Sequence, residues 1–249
     1  MKKYLIKYSL EFIVIVLGIT ISYWINDIQV QNQESDKEKV ILNSILSDIE
    51  LIEDYINDRK KTLSSDSLWM DYLIKNWENI NIDSTTREFS KTGYNASFHN
   101  LFLDFREFHP PIATLEMVTS DGSFSIIKND LIKRKINSIV YLSKEQLIKN
   151  SEVEIELQLS FKEKLMEDED KDVVNMLNAT QNELKNRFSG SENYYLETKN
   201  ELRVILEKDY ARNYLNLKFR HRYFVLLFLN SFSTEVNQLK ILILSELGS

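Results

Sequence analysis

The stretch NYLNLKFRHRYF, residues 213–224, holds the densest set of groups that could do chemistry. Lys218, Arg220, His221 and Arg222 interleave with Tyr214, Phe219, Tyr223 and Phe224, and Arg212 stands just before them. Guanidinium and ammonium groups beside aromatic faces suit phosphates and stacked bases, so a nucleotide or another anionic ligand is what Arg212, Lys218, Arg220 and Arg222 would bind. The same run has a plainer reading. On a helix these residues point different ways, so the aromatics would enter a core while the cations cover acidic neighbours.

Elsewhere the chemistry is thin. His99, His109 and His221 are far apart and lack H-E-x-x-H spacing. No Gly-rich phosphate loop and no G-x-S-x-G elbow occurs. There is no Cys, which excludes disulfides, thiolate zinc sites and a cysteine nucleophile. The acidic run MEDEDKD, residues 166–172, is read as a solvated loop, on the ground that a calcium site needs alternating ligands and a Gly at its sharp turn. The chain therefore reads as a non-enzyme with no cofactor and no metal. Its net charge of −7 disfavours general affinity for nucleic acid.

A second polar set lies in an apolar setting. In KYSLEFIVIVLGITISYWINDIQ, Glu11, Gly18, Ser22 and Asn26 recur at helical spacing, and Ile15 completes their stripe. Gly18-x-x-x-Ser22 is a small-xxx-small pair, which lets helix backbones approach closely in lipid. Copies meeting on this face would form a homo-oligomer, and several copies would line a narrow pore with the polar stripe. The plainer reading pairs Lys7 with Glu11, four residues on, at the headgroup level.

The element that must carry this stripe is a membrane helix. From Tyr4 to Ile25 a helix rises roughly 33 Å, against a bilayer core of about 30 Å. Tyr4, Tyr8, Tyr23 and Trp24 sit near the two ends, where aromatic belts lie. A cleavable signal peptide needs a small-residue site, and the bulky SYWINDIQ that follows does not provide one. Lys2, Lys3 and Lys7 precede the span, so the positive-inside rule places the N-terminus in the cytoplasm and the remaining chain outside.

The segment YLIKYSLEFIVIVLGITISYWIND resembles the start of a family of single-pass membrane proteins common in Bacteroidota. That family carries a Glu, an apolar stretch, a Gly-Ile pair and an Ile-Asn exit, matched here by Glu11, Gly18 with Ile19, and Ile25 with Asn26. A second match, PIATLEMVTSDGSFSIIKNDLIKRKINSIVY, fits the family pattern at Pro111, Thr114, Ser120, Gly122, Ile127, Asn129 and Leu131. Val118 stands where the family has Leu, and Asp27 and Ile28 replace its Trp and Glu. The resemblance covers the first half of the chain. It implies an anchored helical domain, a build shared with some membrane proteins of bacterial self-immunity and phage defence, and it implies no activity.

Only 5 Gly and 2 Pro in 249 residues argue for long helices with few connections, hence an all-α fold. The organisation read from the sequence is a transmembrane anchor at 1–28, juxtamembrane helices at 29–79 and a helical domain at 80–249. Leu42, Ile45, Ile49, Ile52 and Ile56 form a heptad seam, which either continues the span outward as a coiled coil or packs on its own domain. A helix break is expected at Ser64–Ser67 and a long loop over about 80–100. A Pro110–Pro111 stop precedes a short helix to Ser120, a turn at Asp121–Gly122 and a helix with Asp130 as its N-cap. EVEIELQLSF alternates like a strand, but helix formers flank it without a break, so helix is expected to about Met166. Helices at about 172–188 and 192–208, separated by SGS, precede a long C-terminal helix broken near Ser231.

Two classes of function fit: a regulated effector whose oligomerised spans conduct ions or perturb the bilayer under control of the helical domain, or an anchored scaffold or binding subunit whose span is a tether to the lipid bilayer.

Overall fold

The computed structural model describes residues 2–92, 101–103, 105–177 and 192–248, and every regular element among them is helical. The elements are α1 (Lys2–Asn76), α2 (Ile82–Thr92), α3 (Ala113–Ser120), α4 (Asp130–Tyr141), α5 (Lys149–Met166), α6 (Lys171–Leu177), α7 (Glu192–Leu206) and α8 (Asp209–Leu247). A π-helical turn, Leu142–Ile148, joins α4 to α5. The protein is an all-α bundle with one helix far longer than the rest.

The heptad seam of α1 is consumed inside its own chain. Leu42, Ile45, Ile49, Ile52 and Ile56 are buried among Val225, Leu229, Phe232, Val236, Leu239 and Ile243 of α8. Those α8 residues alternate four and three apart as well, so two matching seams pack along one another. The helices run antiparallel, tied by Lys240 to Glu53 at 2.6 Å, Arg222 to Asp66 at 3.0 Å and Arg212 to Glu78 at 2.7 Å. Each fully buried Ile stabilises the pairing by about 1.5–3 kcal/mol.

The break expected at Ser64–Ser67 is absent, and α1 crosses it. Ser67 Oγ donates to the Leu63 carbonyl at 2.8 Å, so the hydroxyl is satisfied within the helix, and the neighbouring Asp66 is fully buried among basic partners. Ser231 is accommodated likewise, its Oγ bonded to the Leu227 carbonyl, and α8 is unbroken.

The loop expected over 80–100 contains α2; residues 93–100 lie outside the described set. Asn81 caps this helix, its Oδ1 accepting the Ser84 N–H at 3.0 Å. Two threonines, Thr85 and Thr86, are buried alongside Phe89, so the inward face of α2 looks polar by composition. EVEIELQLSF is helical, as its flanks imply. Of the expected helix at 172–188, α6 covers the described part; residues 178–188 and the SGS separator fall outside.

After the Pro110–Pro111 stop, α3 runs to Ser120. Gly122 follows in the left-handed region at φ 85°, a conformation that glycine adopts without a Cβ clash. The cap of α4 is Asn129, one residue before the expected Asp130: its Oδ1 accepts the Leu131 N–H at 2.9 Å. Asn129 also donates to Glu246 Oε2 at 2.8 Å, and the Lys128 N–H donates to buried Glu38 at 2.6 Å. These contacts close the end of the bundle nearest the apolar stretch. Beyond them α1 continues alone, and residues 12–34 are exposed throughout.

Candidate functional site

The apolar interior is divided in two. One core holds the Leu42–Leu63 side of α1, with α3, α4 and the C-terminal part of α8. The other holds Met70, Leu73 and Trp77 of α1, with Phe89, Phe102, Phe161, Leu165, Leu202 and Leu215 from the remaining elements. Between them three helices each present polar residues at the same level. On α1 the inward sequence runs Leu63, Asp66, Met70; on α5, Leu147 of the preceding π turn leads to Ser151, Glu154, Gln158 and then Phe161; on α8 it runs Leu215, Lys218, Arg222, Val225.

Arg222 is the hub of this layer. Its Nη1 donates to Asp66 Oδ2 at 3.0 Å, its Nε donates to Glu154 Oε2 at 3.1 Å, and its Nη2 contacts Glu154 Oε1. Arg106, on the extended segment before Pro110, clasps Asp66 from the other side with two bonds of 2.7 and 3.1 Å. Lys218 Nζ donates to Gln158 Oε1 and to the Leu101 carbonyl, both at 2.9 Å, and lies 3.9 Å from Glu154. Tyr214 Oη donates to the same carbonyl at 3.1 Å. Leu101 and Arg106 are thereby both fastened to the layer.

Counting charges, Arg106, Lys218 and Arg222 face Asp66 and Glu154, an excess of one cation when Lys218 is protonated. Burial opposes the charged form of Lys218 more strongly than Glu154 supports it, and its pKa is lowered to about 7. Burial also opposes ionisation of Glu154, but the Arg222 and Lys218 charges outweigh it and hold this carboxyl below its usual range. Burial and the Glu154 charge push the Tyr214 phenol well above its ordinary value.

The four cations suggested as an anion patch do not share a surface. Lys218 and Arg222 are inside, paired as above; Arg212 pairs with Glu78; Arg220 is exposed. His109 is exposed beside Glu107 at 3.0 Å, His221 is half-buried, and His99 lies outside the described residues. Tyr214 enters the core, where it stacks on Phe161 at 4.2 Å, whereas Tyr223 is exposed.

Sequence reading missed Asp66, Arg106, Glu154 and Gln158. On α5 the buried face is the polar one, while the aliphatics Val153 and Leu159 are 42% and 47% exposed. The available signal was spacing: Ser151, Glu154, Gln158, Phe161 and Leu165 alternate three and four apart, as a buried helix face does.

The aspartates of the acidic loop do alternate, contrary to the reading of MEDEDKD. Their centre is taken by a side chain of the chain itself: Lys208 Nζ lies 3.0 Å from both Asp168 and Asp170. Tyr210 Oη donates to Asp168 at 3.0 Å and its pKa is raised to about 12, by burial first and by Asp168 second. Among the described residues no group of three or more His, Asp or Glu could hold a metal ion.

The stripe residues Ile15, Gly18, Ser22 and Asn26 all lie on the exposed, unaccompanied part of α1; Glu11 belongs to the same helix, its side chain outside the described set. Among the described residues, α1 is the one helix long and apolar enough to cross a membrane, a property shared by membrane spans and signal sequences. No protein-family model, curated protein or solved structure matches this chain.

Proposed function

We propose that the chain is a non-enzymatic, single-pass protein of a bacterial inner membrane, with the N-terminus cytoplasmic. It acts as a regulated effector: its spans associate through Glu11, Gly18 and Ser22 to conduct ions or perturb the bilayer, and the helical bundle controls their arrangement. The observation that carries this reading is the continuity of α1. One helix of 75 residues, roughly 110 Å long, joins the apolar stretch to the interior of the bundle without a hinge. A rotation or tilt of the bundle reaches the span directly, which a plain tether would not require. The resemblance to anchored helical proteins of Bacteroidota supports the same build.

The test is dye release from vesicles carrying the full chain, compared with Gly18→Leu. A Cβ placed at Gly18 meets nothing within 4 Å inside the chain, so the substitution adds no Cβ clash within the monomer and bears on a contact with another molecule. Release that is lost in Gly18→Leu is the expected result. If the wild type releases no dye under any condition, and activity in cells survives exchange of the span for an unrelated one, the protein is an anchored scaffold instead.

A further inference from the structure

The π turn between α4 and α5 has a cause in the spacing of buried residues. From Ile132 to Ile139, and again from Ser151 to Leu165, buried positions alternate three and four apart. Between these runs Ile139, Ser143, Leu147 and Ser151 are four apart three times over. On a straight α-helix those twelve residues would carry the buried face roughly 120° around, whereas eleven would return it to within about 20°. The chain holds one residue too many here, and the wider winding of Leu142–Ile148 absorbs it. The same turn marks a boundary. Ile139 and Leu147 belong to the first core, Phe161 and Leu165 to the second, and the polar layer lies between. Among the described residues, Ser143 Oγ is buried in the turn with no hydrogen-bond partner, whereas Ser67 and Ser231 bond back to their own helices. A π turn within a helix is a place where the helix bends.

We propose that α5 is a movable leaf of the bundle: it pivots at the π turn and parts from α8 across the polar layer, while α1, α4 and α8 stay packed. The motion involves the bundle alone and is independent of any association of the spans. Two further observations single out α5 as the part that moves. First, the groups it meets on α8 are also held from elsewhere. Arg222 keeps Asp66 of α1 at 3.0 Å when Glu154 withdraws. Lys218 and Tyr214 keep the Leu101 carbonyl, at 2.9 and 3.1 Å, when Gln158 and Phe161 withdraw. Neither cation is left without a partner, and an abandoned charge is what makes breaking a buried ion pair costly. Glu154 itself moves toward water, where its carboxylate is solvated. Second, the two helices pack incompletely beyond the layer. An open cleft of about 120 Å³ separates Leu157, Ser160 and Lys164 of α5 from Asn213 and Leu217 of α8.

Hydrogen exchange of the full chain in detergent micelles, read by mass spectrometry and corrected for intrinsic rates, tests the pivot. Amides of residues 151–165 should exchange at least ~10-fold faster than those of 132–139, with the step at the π turn, because opening one leaf costs less than opening the whole bundle. Glu145 is exposed within the turn, and deleting it restores α winding with both buried faces in register. This deletion should slow exchange of 151–165 and remove the step. Glu154→Gln weakens the tie to Arg222 and should speed exchange of 151–165 about tenfold, with 132–139 unchanged. Uniform protection across 132–165 in the wild type overturns the inference. So does a deletion variant of native helix content that keeps the step, or a Glu154→Gln variant in which both segments accelerate together. Should the deletion variant not fold, the wild-type profile and Glu154→Gln decide between these outcomes.

Discussion

Lys218→Met tests the charge layer where its electrostatics are most exposed to measurement. Met is unbranched, close in length and uncharged, so it fills the site while removing the ammonium. In the unfolded chain the lysine holds its proton to a pH of about 10.4. In the folded protein it releases the proton above about pH 7, because burial, and after it the Arg222 charge, disfavours the ammonium more than Glu154 supports it. Between those values the unfolded state binds one more proton, so stability rises with pH by about 1.4 kcal/mol per unit. Below pH ~7 both states are protonated and this contribution is flat. From about pH 7.5 to about pH 9.5 the wild type should gain about 2–3 kcal/mol relative to Lys218→Met, since all other titrations are common to both. Urea unfolding of the full chain in detergent micelles measures this, with Trp69, stacked on Phe89 at 4.0 Å, and Trp77 as reporters of the neighbouring core. Parallel stability curves for the two proteins across that window would show that Lys218 keeps its proton in the fold, and the account of the layer would be wrong.

Arg222→Met should cost about 3–5 kcal/mol, because Glu154 is left buried with only distant Lys218 and Asp66 loses one of two partners; adding Glu154→Met should recover part of the loss in a thermal melt. Asn129→Ala removes the cap of α4 and the bond to Glu246. A loss of about 1 kcal/mol is expected, together with faster hydrogen exchange of the first α4 amides.

How much was readable from the chain follows from what periodicity measures. Leu42, Ile45, Ile49, Ile52 and Ile56 show a face by hydrophobicity alone, and that face is buried. The same logic misled at α2, where Thr85 and Thr86 supply buried surface with polar residues, and at α5, where Glu154 and Gln158 do. A polar face turned inward has the composition of a polar face turned to water. Lys218 and Arg222 were noticed for their charge, but a ligand patch and an internal ion layer have the same residues at the same spacing; what differs is whether Asp66 and Glu154, 156 and 68 positions away, arrive beside them. The Ser64–Ser67 break failed because a serine in a helix can bond back to its own turn, and Asp66 gains more from burial with two arginines than from capping a new helix.

Local composition alone established that the chain is helical, that an apolar stretch begins it and that Gly18, Ser22 and Asn26 share a side of that stretch. These are properties of one helix and its neighbours three and four residues away. Tertiary structure alone decided that the seam of α1 is spent on α8, that Lys218 and Arg222 of α8 are interior, and that the bundle leaves the Gly18 side of α1 uncovered. The pairings behind them join residues 60 positions apart or more, and a buried charge can be told from a solvated one only by the group that comes to meet it.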